Sequence, residues 1–291
     1  MNDIRISVIV ISYNGIEFIT DCLTSIVKSL QGESAEIIVV DNGSTDGTFE
    51  SIKQDHHYVK LIKNQSNLGF AKAVNRGLRE SKGEYIFLLN QDTRIVTRAI
   101  SDLAARLAQD ERIGIIGPKF VGFDGNLQKS CRTFPRYRDI FYELAGLSYL
   151  FPRSRIFSRW KMGWFDHETE KEVDQPMGAA MMFRRSLLEK VGYLDESFPI
   201  FFNDVDFCRR VKECGFVNLY FPAALVEHFV GGTIRKMKPG MIIESHHSMY
   251  RYFRKYNKSI LSLPSLYFCG FMLFVSGYVR AGLHALFRTR G

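Results

Sequence analysis

Glu36-Ile37-Ile38-Val39-Val40-Asp41-Asn42-Gly43-Ser44-Thr45-Asp46-Gly47-Thr48 reads as an unbroken apolar run that stops on a carboxylate and a glycine-rich polar turn. A continuous β-branched run marks a strand buried on both faces, as in a parallel sheet. The same arrangement occurs earlier, where Ile6-Ser7-Val8-Ile9-Val10-Ile11 runs into Ser12-Tyr13-Asn14-Gly15. It occurs again where Tyr85-Ile86-Phe87-Leu88-Leu89 runs into Asn90-Gln91-Asp92. Between these runs Phe18, Ile19, Cys22, Leu23, Ile26 and Val27 recur at helical spacing, and a short strand over 59–62 precedes a helix over about 69–80. This strand–helix alternation predicts an α/β, doubly wound, mostly parallel sheet with right-handed crossovers. Such sheets bind ligands at the carboxyl ends of their strands, where all three polar turns fall.

Further along, the pattern predicts a helix over 99–107 and a strand over 113–117. The stretch 123–172 is irregular, aromatic and basic. Strand periodicity returns over 177–183, a helix is expected near 186–191, and Asn203-Asp204-Val205-Asp206 opens another helix reaching 213. With 291 residues, 46% of them hydrophobic, the chain suffices for one large domain plus an appendage. The expected organisation is a domain over 1–240, with a nucleotide-binding half over about 1–120 and an acceptor-binding half over about 121–240. A basic, apolar helical region follows over 241–291.

The net charge of +8 is uneven. From residue 245 onward there are seven basic residues (Arg251, Arg254, Lys255, Lys258, Arg280, Arg288, Arg290) and no acidic one, so the body carries +8 less 7, or +1. Basicity confined to a tail argues against a nucleic-acid footprint across the core. Residues 260–279 are mostly apolar and long enough to span a bilayer, but Pro264, Gly270, Gly277 and basic flanks favour a hairpin or interfacial helix. Aromatic and basic residues alternate over 250–256, a composition suited to anionic lipid headgroups. The bland alternatives are a helix packed on the core or a homodimer contact. Five cysteines without a CxxC pair are expected to be reduced, with neither disulfide nor zinc. The N-terminal residues carry no signal-peptide pattern, so the body is expected to face the cytoplasm.

Taken singly, each polar turn reads equally as an Asx-capped turn. As a ligand site, Asp41 would accept from a pyrimidine N3–H while glycines let the backbone approach a nucleoside. Asp204, at a helix N-terminus, is a natural ionised acceptor and the candidate general base. Asp206, two residues on, points to the opposite side and suits ion pairs with Arg209 and Arg210. Met181, Met182 and Phe202 read as core.

In order along the chain, Val8 to Asn14, Val40 to Thr48, Asn67-Leu68-Gly69-Phe70-Ala71 and Leu88 to Thr93 closely resemble successive motifs of the family 2 glycosyltransferases of GT-A fold. Gly178-Ala179-Ala180-Met181, Gly192 to Glu196, Phe201 to Phe207, Val226-Glu227-His228 and Gly231-Gly232-Thr233 continue the resemblance, which covers roughly residues 4–235. The nearest flavour is the bacterial rhamnosyltransferase branch that builds O-antigen and related lipopolysaccharide or surface glycans.

The resemblance implies a donor site in which Tyr13 flanks the base and Asp41 bonds it. Ser12, Asn14, Asn42, Ser44, Asn67, Gly69, Lys72, Asn90, Gln91, Asp92, Gly178 and Arg235 would complete that site. Asn90 and Asp92 stand at the DxD motif, with Asp92 and His228 as ligands of Mg²⁺ or Mn²⁺. Asn90 departs from the usual Asp, so only one carboxylate remains for the metal at this motif; Asn203 departs from the usual Glu, which bears on how the Asp204 base is tuned. Arg235, Lys236 and Lys238 suit a lid over the diphosphate. The implied partners are a dTDP- or UDP-sugar, with dTDP-rhamnose favoured, a lipid-linked glycan acceptor and the cytoplasmic face of the bacterial inner membrane. A non-catalytic scaffold that binds nucleotide sugars is the alternative from another class. A nucleotidyltransferase is disfavoured because no glycine-rich basic loop stands near the N-terminus.

Overall fold

Val8 and Val10 pack into one apolar layer and Ile9 and Ile11 into the other, so the first strand is buried on both faces. Ile37 and Val39 alternate with Ile38 and Val40 in the same way, as do Phe87 and Leu89 with Ile86 and Leu88. That two-sided burial is why these strands are unbroken apolar runs rather than alternating ones. The computed structural model describes residues 5–30, 32–229 and 239–288, with side chains as far as 285.

The elements in chain order are β1 (Ile6–Ser12), α1 (Ile19–Ser29), β2 (Ala35–Asp41), α2 (Thr48–Asp55), β3 (Lys60–Lys63), α3 (Phe70–Glu80), β4 (Tyr85–Asn90), β5 (Thr93–Ile95), α4 (Ala99–Ala108) and β6 (Ile113–Val121). Next come β7 (Leu127–Gln128), α5 (Tyr137–Leu144), α6 (Leu147–Leu150), β8 (Lys171–Val173), β9 (Ala180–Arg184), α7 (Leu187–Val191), α8 (Asn203–Glu213), β10 (Val217–His228), α9 (Pro239–Tyr256) and α10 (Leu263–Arg288). The sheet order is β3-β2-β1-β4-β9-β6-β10-β5, with β7 on β6 and β8 on β10. Strands β1 to β4 run parallel, as do β6 and β10, while β9 lies antiparallel between β4 and β6. Helices α1 and α4 cover one face, and α3, α7 and α8 the other.

Several elements differ from the sequence expectation. Strand β6 continues to Val121 rather than ending at 117, and β9 starts at Ala180 rather than 177. Helix α2 was not anticipated, because it buries only Thr48 and Ile52 and so carries almost no apolar stripe. The irregular stretch 123–172 contains α5 and α6.

A third apolar cluster joins Ile140 of α5 and Val205 of α8 to Tyr252 and Phe253 of α9 and Leu266, Cys269 and Leu273 of α10. The C-terminal helices are therefore docked on the α/β body. Asp206, fully buried, anchors this contact: Arg210 Nε donates to its Oδ2 at 2.9 Å, Tyr256 Oη donates to its Oδ1 at 2.8 Å, and Lys255 pairs with the same Oδ1. The expected Arg209 partner is corrected: Arg209 pairs with Glu213 and donates to Tyr252 Oη at 2.8 Å, its guanidinium stacked over Tyr256. Asp206→Ala would leave Arg210 without a carboxylate partner, Tyr256 Oη without its acceptor and Lys255 with Asp195 alone, and is expected to cost about 3 kcal/mol of stability, read by urea unfolding.

Candidate active site

The parallel register pairs Ser12 with Asp41 and Ile11 with Asn90, so three strand ends lie level at one sheet edge. The turns beyond them are laced together. Asn14 adopts a left-handed backbone, φ 48°. Its Oδ1 accepts from Thr45 N at 2.8 Å, its own N–H donates to Ser44 Oγ at 2.9 Å, and Gly15 N donates to Thr48 Oγ1 at 3.0 Å. Gln91 closes the third side: its Oε1 accepts from Ser12 Oγ (2.7 Å) and Tyr13 N (3.0 Å), and its Nε2 donates to Tyr13 O (2.9 Å). The Tyr13 ring stays 43% exposed at the rim, where a flat base could stack on it. Asp41 is fully buried yet, among the described residues, receives only the Ser44 N–H, at 3.2 and 3.3 Å, so its carboxylate keeps acceptor capacity.

Asn42 receives Asn64 Nδ2 and Leu68 N on its Oδ1 and donates through Nδ2 to Asn67 Oδ1 and Gly69 O. Asn67 Oδ1 also receives Gly69 N. These side chains hold the loop before α3, and the polar groups of Ser12 and Gln91 pin the β1 turn, so all three shape the edge at which the donor is expected. Lys72 stands exposed in the first turn of α3. Arg235, with Lys236 and Lys238, lies outside the described residues.

Past Asn90 the chain turns into β5, which pairs antiparallel with the end of β10 and sets His228 opposite Thr93. Phe229 N donates to Asp92 O at 2.9 Å, and the His228 Nε2 to Asp92 Oδ1 distance is 3.6 Å. Gln128 decides what that contact means. Its Nε2 donates to His228 O, so its Oε1 must be the acceptor facing His228 Nδ1, 3.0 Å away. Nδ1 therefore carries a proton, and in the neutral form of the ring the Nε2 lone pair faces the Asp92 carboxylate. Two lone-pair groups face each other across a gap that a cation suits. Two residues before Asp92, the buried Asn90 Oδ1 has no hydrogen-bond partner among the described residues. Among the described residues no cluster of three His, Cys, Asp or Glu groups forms, so a cation here would draw its remaining ligands from elsewhere.

Asp204 is tied to the end of β4 through the start of β9. Asn90 N donates to Ala179 O at 2.9 Å, and the adjacent Gly178 N donates to Asp204 Oδ2 at 3.2 Å. A Cβ on Gly178 would sit 2.8 Å from that oxygen, so only glycine lets the carboxylate approach. Gln175 Nε2 donates to Oδ2 at 2.7 Å and Val205 N to Oδ1 at 2.9 Å. Burial pushes the Asp204 carboxyl above its ordinary range, against the pull of these donors. Gln128 and Gln175 escaped sequence reading because they act on partners 100 and 29 residues away.

The sequence profile described as Glycosyl transferase family 2 matches residues 7–192. The chain belongs to this family. Among relatives of this glycosyltransferase, the N-acetylglucosaminyl-diphospho-decaprenol L-rhamnosyltransferase of Mycobacterium tuberculosis is 26% identical over 226 residues, covering 74% of this chain and 73% of that one. The dTDP-rhamnosyl transferase RfbF of Shigella flexneri is 26% identical over 242 residues, covering 82% and 74%. Among solved structures, the mannosyltransferase of Pyrobaculum calidifontis in complex with GDP-Man and Mn²⁺ matches with TM-score 0.60 and 20% identity over 97% of this chain and 75% of that one. GalNAc-T7 with UDP, GalNAc and Mn²⁺ matches with TM-score 0.58 and 16% identity over 85% and 48%. At such identities the likeness establishes the GT-A fold.

Proposed function

We propose that this glycosyltransferase is inverting and metal-dependent, and moves L-rhamnose from dTDP-rhamnose to a lipid-linked oligosaccharide in bacterial surface polysaccharide synthesis, at the cytoplasmic face of the inner membrane. The observation that supports this reading best is the facing of His228 Nε2 and Asp92 Oδ1 at 3.6 Å, two residues past an Asn90 amide oxygen that has no partner among the described residues. Through Ala179 and Gly178 the same turn connects to Asp204. The rhamnosyl assignment leans on the two relatives' names. The lipid-linked acceptor leans on the M. tuberculosis relative and on the apolar α10: among the described residues, Ile260–Ala285 is long and apolar enough to cross a membrane.

In this reading Asp41 accepts from the thymine N3–H and Tyr13 lies against the ring. The Asn90 amide meets the ribose or the diphosphate, and Lys72 faces the phosphates. Asp92 and His228 would hold a divalent cation, Mg²⁺ or Mn²⁺, which offsets charge on the departing nucleoside diphosphate. Asp204 removes the proton from the acceptor hydroxyl as that oxygen attacks the anomeric carbon opposite the leaving group, giving inversion. Gln175 and Gly178 hold the carboxylate in place through the transfer.

Incubating the purified protein with dTDP-rhamnose, UDP-glucose and UDP-N-acetylglucosamine, with and without membrane lipid extract, is expected to release dTDP in a lipid-dependent manner. Release of UDP alone would replace the donor assignment with a UDP-hexose. Release of no nucleotide from any donor would leave the scaffold reading.

A further inference from the structure

Helix α10 carries glycine where it crosses α9. A Cβ on Gly270 would fall 2.6 Å from the Tyr250 ring, and one on Gly277 would fall 3.1 Å from the His246 ring. The Tyr250 and His246 rings of α9 thus seat against the α10 backbone along one seam, beside which lies a cleft of about 610 Å³. Its cationic side is Arg251 and Arg254 of α9; its aromatic side is Phe271 and Phe274 of α10, with His247 stacked on Phe274 at 6.3 Å between centroids. Arg251 is partly engaged by Glu244 at 3.3 Å, whereas Arg254 is exposed and has no ion-pair partner among the described residues. The aromatic wall continues onto solvent: Phe271 is 64% exposed and Phe274 53%.

One ligand class satisfies both halves of such a cleft, an anion with an apolar tail. Guanidinium groups match phosphate oxygens in fork geometry, and the exposed aromatic wall would otherwise stand in water. A second copy of the chain fits less well, because a twofold contact would set these arginines against their own images. We propose that the α9/α10 cleft binds the phosphate headgroup of an anionic phospholipid, with an acyl chain lying along Phe271 and Phe274. This rests on the membrane attachment proposed above and adds to it a defined headgroup site.

The test measures partition of the full-length protein onto phosphatidylcholine vesicles with and without phosphatidylglycerol. Wild type should prefer the anionic vesicles, and Arg251→Gln/Arg254→Gln should lose about thirtyfold of that preference while binding neutral vesicles unchanged. Phe271→Ser should weaken binding to both kinds. Thermal melting and nucleotide release in detergent, unchanged in the arginine variant, would exclude misfolding. Undiminished phosphatidylglycerol preference in the double variant would overturn the proposal. So would competition by millimolar inorganic phosphate as effective as that by lipid, which marks a free-anion site, or dissociation of a dimer by the arginine substitutions without a change in partition. Vesicle partition is read without turnover, so an inactive chain would leave the headgroup site standing, and loss of lipid preference would leave the transferase reading intact.

Discussion

Asp204→Asn should lower turnover about 10²–10⁴-fold while the protein still folds and binds donor, the scale of removing a positioned general base. The site argues that this carboxylate is kept basic. Desolvation raises its pKa, and the donors from Gln175, Val205 and Gly178 only partly oppose that rise. The sign follows: a carboxyl whose folded pKa lies above its unfolded value contributes stability at low pH and loses it as pH rises through the folded value. Above the folded value the ionised side chain is therefore a burden on folding, and the neutral amide should leave the melting temperature there unchanged or higher. Activity runs the other way, because only the ionised form takes a proton. The acid limb of kcat/KM should thus sit above the ordinary carboxylate range. Gln175→Ala, which removes a donor to the ionised form, should move that limb further up. Near-normal turnover of Asp204→Asn, measured by nucleoside diphosphate release, would remove Asp204 from the chemistry.

What the sequence disclosed follows from what is local. Strands buried on both faces are continuous apolar runs, so β1, β2 and β4 and the level of their polar ends were readable without coordinates. The nearness of Asp92 and His228 was legible only through motif order, since β10 meets β5 by a long-range antiparallel pairing. Direction of side chains was not legible. Amides in polar turns serve equally to bind a substrate or to bind the turn, and the sequence does not show that Asn42 and Gln91 brace the loops around them. The same limit hid the split at Asp204 and Asp206. Helical spacing separates the two but does not say that Lys255 and Tyr256, fifty residues on, claim Asp206.

Asp92→Asn should abolish metal-dependent nucleotide binding, weakening affinity in the presence of Mn²⁺ by about two orders of magnitude while metal-free binding stays as it was. The reasoning turns on the ring opposite. Gln128 fixes a proton on His228 Nδ1, so in the neutral ring Nε2 offers a lone pair to a carboxylate 3.6 Å away, an arrangement without attraction of its own unless a cation or proton joins the pair. Replacing the carboxylate by an amide removes the charge that draws a hard cation. Gln128→Leu frees the ring to choose its tautomer and should weaken metal affinity by roughly tenfold. The opposite change tests the same logic. Asn90, two residues before Asp92, already presents an oxygen without a partner among the described residues, so Asn90→Asp supplies a second carboxylate without rebuilding the turn and should tighten metal binding. Calorimetric titration of dTDP and UDP with and without Mn²⁺ reads all three variants. A wild-type metal dependence retained in Asp92→Asn would mean that His228 and Asp92 face each other as an ordinary imidazolium–carboxylate pair, and that the cation, if one is used, is held elsewhere.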